Sequence, residues 1–535
     1  MKKVFLNQLK KINKDSLRCK KNILKQNLSR DNSSFIIETD NIFFDFSRNI
    51  IDQKTLMNLS LLAETLDVKN NFKSLCSGDT VNKSENKEAL HTAIRGTFFN
   101  LDKDLKEEVR EYKKKLRQIS NNIISGKHKS FSGKKFTDVV SIGIGGSHFG
   151  TKMVFEALKK YRISKINLHF ISNLDATEAN EVLSNLNKDT TLFVVVSKSF
   201  MTSETLENAK IAKNWLKNND NQKNLMKNFI AVTHNYEEAV NFGVEKNLII
   251  DVWDSVGGRY SFWTGVSIGL IIAIGYRNFS KFLDGAAKGD KHFYSKKYSK
   301  NIPVVMALLT FYYSRFFGAQ SHLILPYDYS LRLLVEHVQQ VEMESNGKSL
   351  DMNGDKFSNI SGNIVWGSNG IVLQHSIFQL LHQGNIFIPS DFIISKKTSS
   401  GKKDNHHKVF SNFLSHIETL NKGFSKEEAS KLYEEKYSKS GLDKRLVIKN
   451  LILSGNRPAN AILLKDLSPE SLGMLLSFYE HKTYVLGLLS NVNSFDQWGV
   501  EIGKIIAKDI YKNIKSPKEN KNRSVLLKKY LSKNF

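Results

Sequence analysis

The run Asp138-Val139-Val140-Ser141-Ile142-Gly143-Ile144-Gly145-Gly146-Ser147-His148-Phe149-Gly150 reads as a buried strand, a glycine turn and the opening of a helix. β-Branched side chains suit a pleated, covered surface, and glycines permit the sharp exit. Working outward, short β-branched runs at 166–171, 191–196, 229–233 and 248–252 join the one at 138–144, with amphipathic helical segments between them. Each interval leaves room for a crossover helix, the pattern of a parallel, doubly wound sheet. A second alternating region begins near Asn301, with apolar runs at 321–326, 363–366, 385–388 and 451–454. The expected fold class is α/β, with two doubly wound parallel-sheet units and helical additions at both ends. Residues 1–120 read as a mostly helical, charged region packing on the larger domain. Residues 121–290 are expected to form the first α/β domain and 291–510 the second with its C-terminal helices, leaving 511–535 as a basic tail. Six prolines and no Gly/Ser linker imply closely packed domains.

A chain of 535 residues is long enough for two large cores. Its two cysteines, Cys19 and Cys76, lie far apart and without metal-ligand spacing, which argues against a disulfide framework and for a reducing compartment. Lys10 and Lys11 interrupt any apolar leader at the N-terminus. The longest apolar run, 265–275, is about half of the ~20 residues needed to cross a bilayer. A cytoplasmic protein with no membrane association is expected. The net charge of +26 is a weak sign of nucleic-acid binding, because lysines are spread over the whole chain and arginines are few. Bidentate readout of bases and phosphates favours arginine. A modest attraction for anionic metabolites remains.

Six stretches carry candidate chemistry. Glycines at 143, 145 and 146 let backbone approach an anion at a helix start. A dinucleotide fingerprint needs a glycine where His148 stands, and a P-loop ending at Gly347-Lys348-Ser349 needs one where Glu342 stands. A tight turn without ligand competes evenly with anion binding at this loop. Ser197-Lys198-Ser199-Phe200-Met201-Thr202-Ser203 follows the third strand and surrounds one lysine with hydroxyls. That suits a phosphate at the carboxyl end of a parallel strand, although a multiply capped helix start reads similarly.

Gly257-Gly258-Arg259-Tyr260-Ser261 lets a guanidinium enter a site beside backbone, where a fixed cation stabilises developing negative charge. Gln339-Gln340 and then Met343-Glu344-Ser345-Asn346-Gly347-Lys348 place one carboxylate at a helix-to-loop corner. His375 and His382 lie seven residues apart with no third metal ligand in an HExxH-like pattern. Gln497, Glu501 and Lys504 recur at helical spacing on one polar face. His91 and Arg95, one helical turn apart, read as structural, and 404–407 as a surface loop.

Together, and in this order from Leu90 to Lys504, the stretches resemble the phosphoglucose isomerase family. The most specific are Gly-Gly-Arg-Tyr-Ser, Gln-Gln with Met-Glu-Ser-Asn-Gly-Lys, and Phe495-Asp496-Gln497-Trp498-Gly499-Val500-Glu501 ending at Lys504. Leu380-Leu381-His382-Gln383-Gly384, Gly455-Asn456-Arg457-Pro458 and Tyr479-Glu480-His481 support them. The resemblance implies two sugar-isomerase (SIS-type) domains around a site that interconverts glucose 6-phosphate and fructose 6-phosphate, with no metal or organic cofactor. It implies that Gly146, Ser147, Ser197, Lys198, Ser199 and Thr202 hold the phosphate, and that Gln340 contacts the sugar. It further implies that Glu344 carries a proton between C2 and C1, that Arg259 stabilises the enediolate, and that His375 and Lys504 assist ring opening. A homodimer is implied, with His375 contributed across the interface.

Met201 and Ser199 stand where the family usually has Thr, His148 where it has Asp, and Ala176 where it has Gly; residues 367–373 replace a more polar loop. Three other readings stay open on sequence: an isomerase of another phosphosugar, a non-enzymatic sugar-phosphate sensor, and a basic nucleic-acid-binding protein.

Overall fold

The computed structural model describes residues 2–26, 32–163, 165–217, 224–356, 362–515 and 524–532. Among them, β1 (Ile36–Glu38), β2 (Ile42–Arg48), β3 (Asp138–Ile142), β4 (Asn167–Ile171), β5 (Thr191–Val196), β6 (Phe229–Val232), β7 (Ile249–Ile250), β8 (Ser321–Pro326), β9 (Ile364–Gly367), β10 (Ser390–Ser395) and β11 (Ala459–Leu464) build two sheets. The first runs β4-β3-β5-β6-β7 and is parallel throughout. Every side chain of β5, on both faces, is buried, as a parallel strand covered by helices on either side requires. The chain steps from β3 outward to β4, then returns to β5 on the other side of β3. That reversal leaves a crevice between the carboxyl ends of β3 and β5, the place where open α/β sheets bind ligands.

The second sheet, β1-β2-β11-β10-β8-β9, repeats the pattern with β9, β8, β10 and β11 in parallel. Its reversal lies between β8 and β10. There the Asp328 carboxylate reaches across and accepts the Ser395 N–H at 2.6 Å and its Oγ–H at 2.9 Å. Burial pushes the Asp328 carboxyl pKa up.

Three expectations are corrected. Residues 1–120 are not merely helical: β1 and β2 form an antiparallel hairpin, and β2 pairs antiparallel with β11 to extend the second sheet. The alternating burial of Ile42, Phe44 and Phe46 drives this, since one face of β2 must cover the core. The run at 385–388 is not a strand; it precedes Pro389, which has no N–H to donate, and β10 starts at Ser390. The run at 451–454 ends the helix Lys444–Leu451 and leaves Leu453 in a single bridge to Phe424, while the strand is β11. Asp391 and Asn460 disguised these two strands as polar. They face each other in register, and Asp391 accepts bonds from Asn460 Nδ2 at 2.7 Å and Tyr479 Oη at 3.1 Å.

The helix Pro469–Ser490 is buried on nearly every side. Four consecutive residues of it reach five partners. Tyr479 meets Asp391, Glu480 meets Arg95 and the Trp263 indole, His481 meets Asp290 at 2.7 Å, and Lys482 meets Glu342 at 2.9 Å. Arg95 also pairs with Asp290 at 2.9 Å and lies 4.2 Å from the centre of the Trp263 ring.

Residues 1–494 form one compact unit and 495–535 another. The second contains the helices Glu501–Lys515 and Val525–Leu531. Of the expected basic tail, 516–523 and 533–535 lie outside the described residues. No helix among the described residues is long and apolar enough to cross a membrane.

Burial pushes His337 down to about 3, and His148, His292 and His416 to about 4, from an ordinary 6.5. These rings stay neutral in the fold, whereas the unfolded chain takes up their protons near pH 6.5. Their contribution to stability is therefore complete above that pH and is lost as the pH falls towards 4. Urea midpoints should drop between about pH 7 and about pH 5, and His337→Phe should flatten the drop.

Candidate active site

The site grows from two backbone turns in contact. A Cβ placed on Gly146 would lie 2.2 Å from the carbonyl carbon and oxygen of Gly258 and 2.7 Å from the Arg259 nitrogen. Only glycine lets the loop after β3 rest on the turn Gly258–Trp263. Gly143 closes the base of the same loop, since its Cβ would meet the Val196 carbonyl at 3.2 Å, at the end of β5.

The Gly258–Trp263 turn delivers Arg259 into the interior, where its side chain has no exposed surface. Nε donates to Ser345 Oγ at 2.7 Å, and Nη2 donates to the Ser494 carbonyl at 2.7 Å. Nη1 lies 3.7 Å from Glu344 Oε2, an ion pair too long to be a strong hydrogen bond. Tyr260 Oη shares a hydrogen bond with Ser345 Oγ at 2.9 Å, and the His91 ring stacks on Tyr260. His91 and Arg95 thus shape the site from behind.

Glu344 comes from the opposite side. The helix Leu334–Gln339 runs into a π turn, Gln340–Glu344, so the expected helix-to-loop corner is a widened helical turn instead. Such turns collect at functional sites. Gln340 packs on the glycine loop, because a Cβ on Gly145 would lie 3.4 Å from its Nε2. Glu344 Oε2 and Gln340 Oε1 have no hydrogen-bond partner among the described residues. Two buried acceptors, one of them beside a cation, are therefore left without a donor, a need that sugar hydroxyls would meet.

The loop after β5 lies beside the glycine loop, at the same end of the sheet. Ser197 Oγ donates to Thr202 Oγ1 at 3.0 Å, and Ser199 Oγ accepts the Met201 N–H at 3.2 Å. Thr202 sits at the N-cap of the helix Ser203–Leu216 without capping it through its side chain, so the capped-start reading does not account for its hydroxyl. Phe200, buried at φ 51°, holds the loop in a left-handed bend, while Met201 projects outward. Lys198 is engaged: Nζ donates to the Asp254 carbonyl at 2.8 Å and pairs with its carboxylate at 2.9 Å. Partial burial would raise the Asp254 pKa, but hydrogen bonds from Lys198 and Lys87 hold it down at about 2.

The structure thus assembles Glu344, Arg259, Gln340, Gly146 and Ser147, with Ser197, Lys198, Ser199 and Thr202 on the neighbouring strand end. His375 is exposed just beyond the short helix Gly370–Leu373. Lys504 lies in the second unit, paired with Glu501 at 2.8 Å. Neither His375 nor His382 joins a metal-ligand group among the described residues. Sequence reasoning missed Ser345, Ser494, Asp254 and the Glu342–Lys482 pair. Ser345 and Glu342 lay in plain view beside Glu344, and Asp254 just before Arg259; Ser494 and Lys482 come from distant segments that no local pattern links.

Gly146→Ala should wedge the two turns apart and lower stability by about 1–3 kcal/mol, read as a shifted urea midpoint.

A phosphoglucose isomerase family model matches residues 45–525. A glucose-6-phosphate isomerase of Buchnera aphidicola subsp. Schizaphis graminum is 42% identical over 506 residues, covering 94% of this chain and 91% of that one. One from Campylobacter jejuni subsp. doylei is 40% identical over 498 residues, covering 92% and 90%. The crystal structure of a glucose-6-phosphate isomerase from Chlamydia trachomatis superposes with a TM-score of 0.82 at 27% identity, covering 98% of each chain.

Proposed function

The chain belongs to the phosphoglucose isomerase family, and from that membership we propose how its residues carry the reversible aldose–ketose exchange of glucose 6-phosphate and fructose 6-phosphate. This is the isomerase step of glycolysis and gluconeogenesis. The observation that carries the residue assignment is the 3.7 Å approach of Arg259 to a Glu344 oxygen that lacks a hydrogen-bond donor.

The exchange moves one proton from C2 to C1 and one from O2 to O1. Glu344 takes the C2 proton; the C–H electrons form the C1=C2 bond and negative charge passes to O1. Arg259, fixed by Ser345 and Ser494, faces that charge in the enediolate. Glu344 then returns its proton to C1, the O2 proton departs, and the C2 carbonyl forms. A single carboxylate serves both carbons without moving far, and a positioned acid–base group supplies about 10²–10⁴-fold. Gln340 holds a sugar hydroxyl. His375 and Lys504 exchange protons with the ring oxygen and O1 during ring opening.

The phosphate does not react. Gly146, Ser147, Ser197, Lys198, Ser199 and Thr202 hold it at the crevice between β3 and β5, and its binding energy fixes the carbons against Glu344. Lys198 would exchange its bond to Asp254 for one to the phosphate. The exposed position of His375 supports a homodimer in which each His375 completes the partner's site. Family membership supports a cytoplasmic enzyme without nucleic-acid or membrane partners. The parallel strands fall within 121–290 and 291–510, which supports those two domains.

A coupled assay from fructose 6-phosphate should show turnover unaffected by chelator, and Glu344→Gln should abolish it while phosphosugar binding survives in calorimetry. Retained turnover would remove Glu344 as the base. Coexpressed Glu344→Gln and His375→Gln chains, each inactive alone, should recover about a quarter of wild-type activity, since half of the dimers are mixed and each of those carries one intact site. No recovery would place His375 in its own chain's site.

A further inference from the structure

Glu342 takes no part in the chemistry above, yet it lies deeper than the base two residues after it. Its side chain is 1% exposed, and that of its partner Lys482 is 0% exposed. A buried ion pair is a poor way to gain stability, because desolvation consumes most of the attraction. Its best-attested use is to hold a register.

The π turn is a register that needs holding. Its two ends are tied elsewhere. Gln339 Nε2 donates to the Val365 carbonyl at 2.9 Å, Ser345 is held by Arg259 and Tyr260, and Asn346 Nδ2 donates to the Thr483 carbonyl at 2.9 Å. Between these ties the turn carries one residue more than α geometry accommodates. Rewinding to an α-helix would rotate the following side chains by about 100° for that one residue. Residues two apart on a helical turn face nearly opposite sides, so Glu342 points into the core as Glu344 points to the crevice. Rewinding would swing Glu344 away from Arg259 only by pulling Glu342 off Lys482 inside the protein. Lys482 cannot follow, because its helix is held at the three preceding residues by Asp391, by Arg95 with Trp263, and by Asp290.

We propose that the buried Glu342–Lys482 ion pair is a positioning device, locking the π register of residues 340–344 and thereby aiming Glu344 at the substrate. The role rests on Glu344 being the base. Glu342 and Lys482 are positioning residues, because neither touches the reacting atoms.

The test separates register from stability by removing both charges together in Glu342→Leu/Lys482→Met, which leaves no buried charge unpaired. The expected result is a folded protein with a melting temperature close to wild type, a KM for fructose 6-phosphate within about threefold, and a kcat lower by about 10²-fold, the scale of a 1 Å misplacement. A folded double variant with wild-type kcat would overturn the proposal. Should the double substitution not fold, Glu342→Gln/Lys482→Met keeps both volumes while removing both charges and the bond between them. Reduced kcat at unchanged KM then supports the role, and unchanged kcat overturns it. Wild-type protein inert towards fructose 6-phosphate would overturn the functional reading itself, and this role with it.

Discussion

Tyr479, Glu480, His481 and Lys482 leave one buried helix in four directions, and the rest of the molecule is arranged around where they end. An α-helix turns about 100° per residue, so four successive side chains sweep the whole circumference. Here each finds a charged or polar partner from a different segment: β10, the short helix His91–Arg95, the helix Tyr276–Ser295, and the π turn. Any one of these groups buried without its partner would cost several kcal/mol. The segments are therefore acceptable together and poor separately, which selects one arrangement of the fold without adding much net stability. The active site inherits that selection. Glu480 grips Trp263 at the end of the turn that begins beside Arg259, and Lys482 grips the turn that carries Glu344. The positions of Arg259 and Glu344 thus depend on residues two apart on one helix.

Much of this was legible in the sequence because it is local. β5 and β8 have the boundaries that their apolar runs mark, and the glycine loop, Arg259 and Glu344 announce themselves through short patterns with a mechanical reason behind each. Where the reading failed, the reason was long-range pairing. β10 and β11 were placed too early because Asp391 and Asn460 look like loop residues until each is seen to satisfy the other across the sheet. The β1–β2 hairpin was absorbed into a helical region because its partner, β11, lies some four hundred residues away. The Tyr479–Lys482 run falls on no single face of a helical wheel. A helix covered on every side loses the polar-out, apolar-in contrast on which periodicity depends.

The π turn was illegible for a different reason. Nothing in Gln340-Val341-Glu342-Met343-Glu344 distinguishes a widened turn from an ordinary helix end. The difference is imposed by anchors outside the segment, at Val365, Thr483 and Lys482. Lys198 offers a parallel case. Its place in a hydroxyl-rich loop suggested a free charge waiting for an anion, whereas it is tied to Asp254, on the segment that leads to Arg259. The loop after β5 and the segment that leads to Arg259 are therefore already joined in the fold.

Asp328 carries a consequence for how the two halves differ. Both sheets reverse direction between equivalent strands, and each reversal opens a crevice at the strand ends. In the second, a carboxylate from the chain itself already sits on the Ser395 N–H and hydroxyl, much as an incoming phosphate oxygen would. The frame is doubled but its strand ends are not alike: in the second half the mooring is already taken by the chain's own anchor. Asp328 thus pins the segment after β8 to the end of β10, and that segment leads into the helix Leu334–Gln339 and the π turn bearing Gln340 and Glu344.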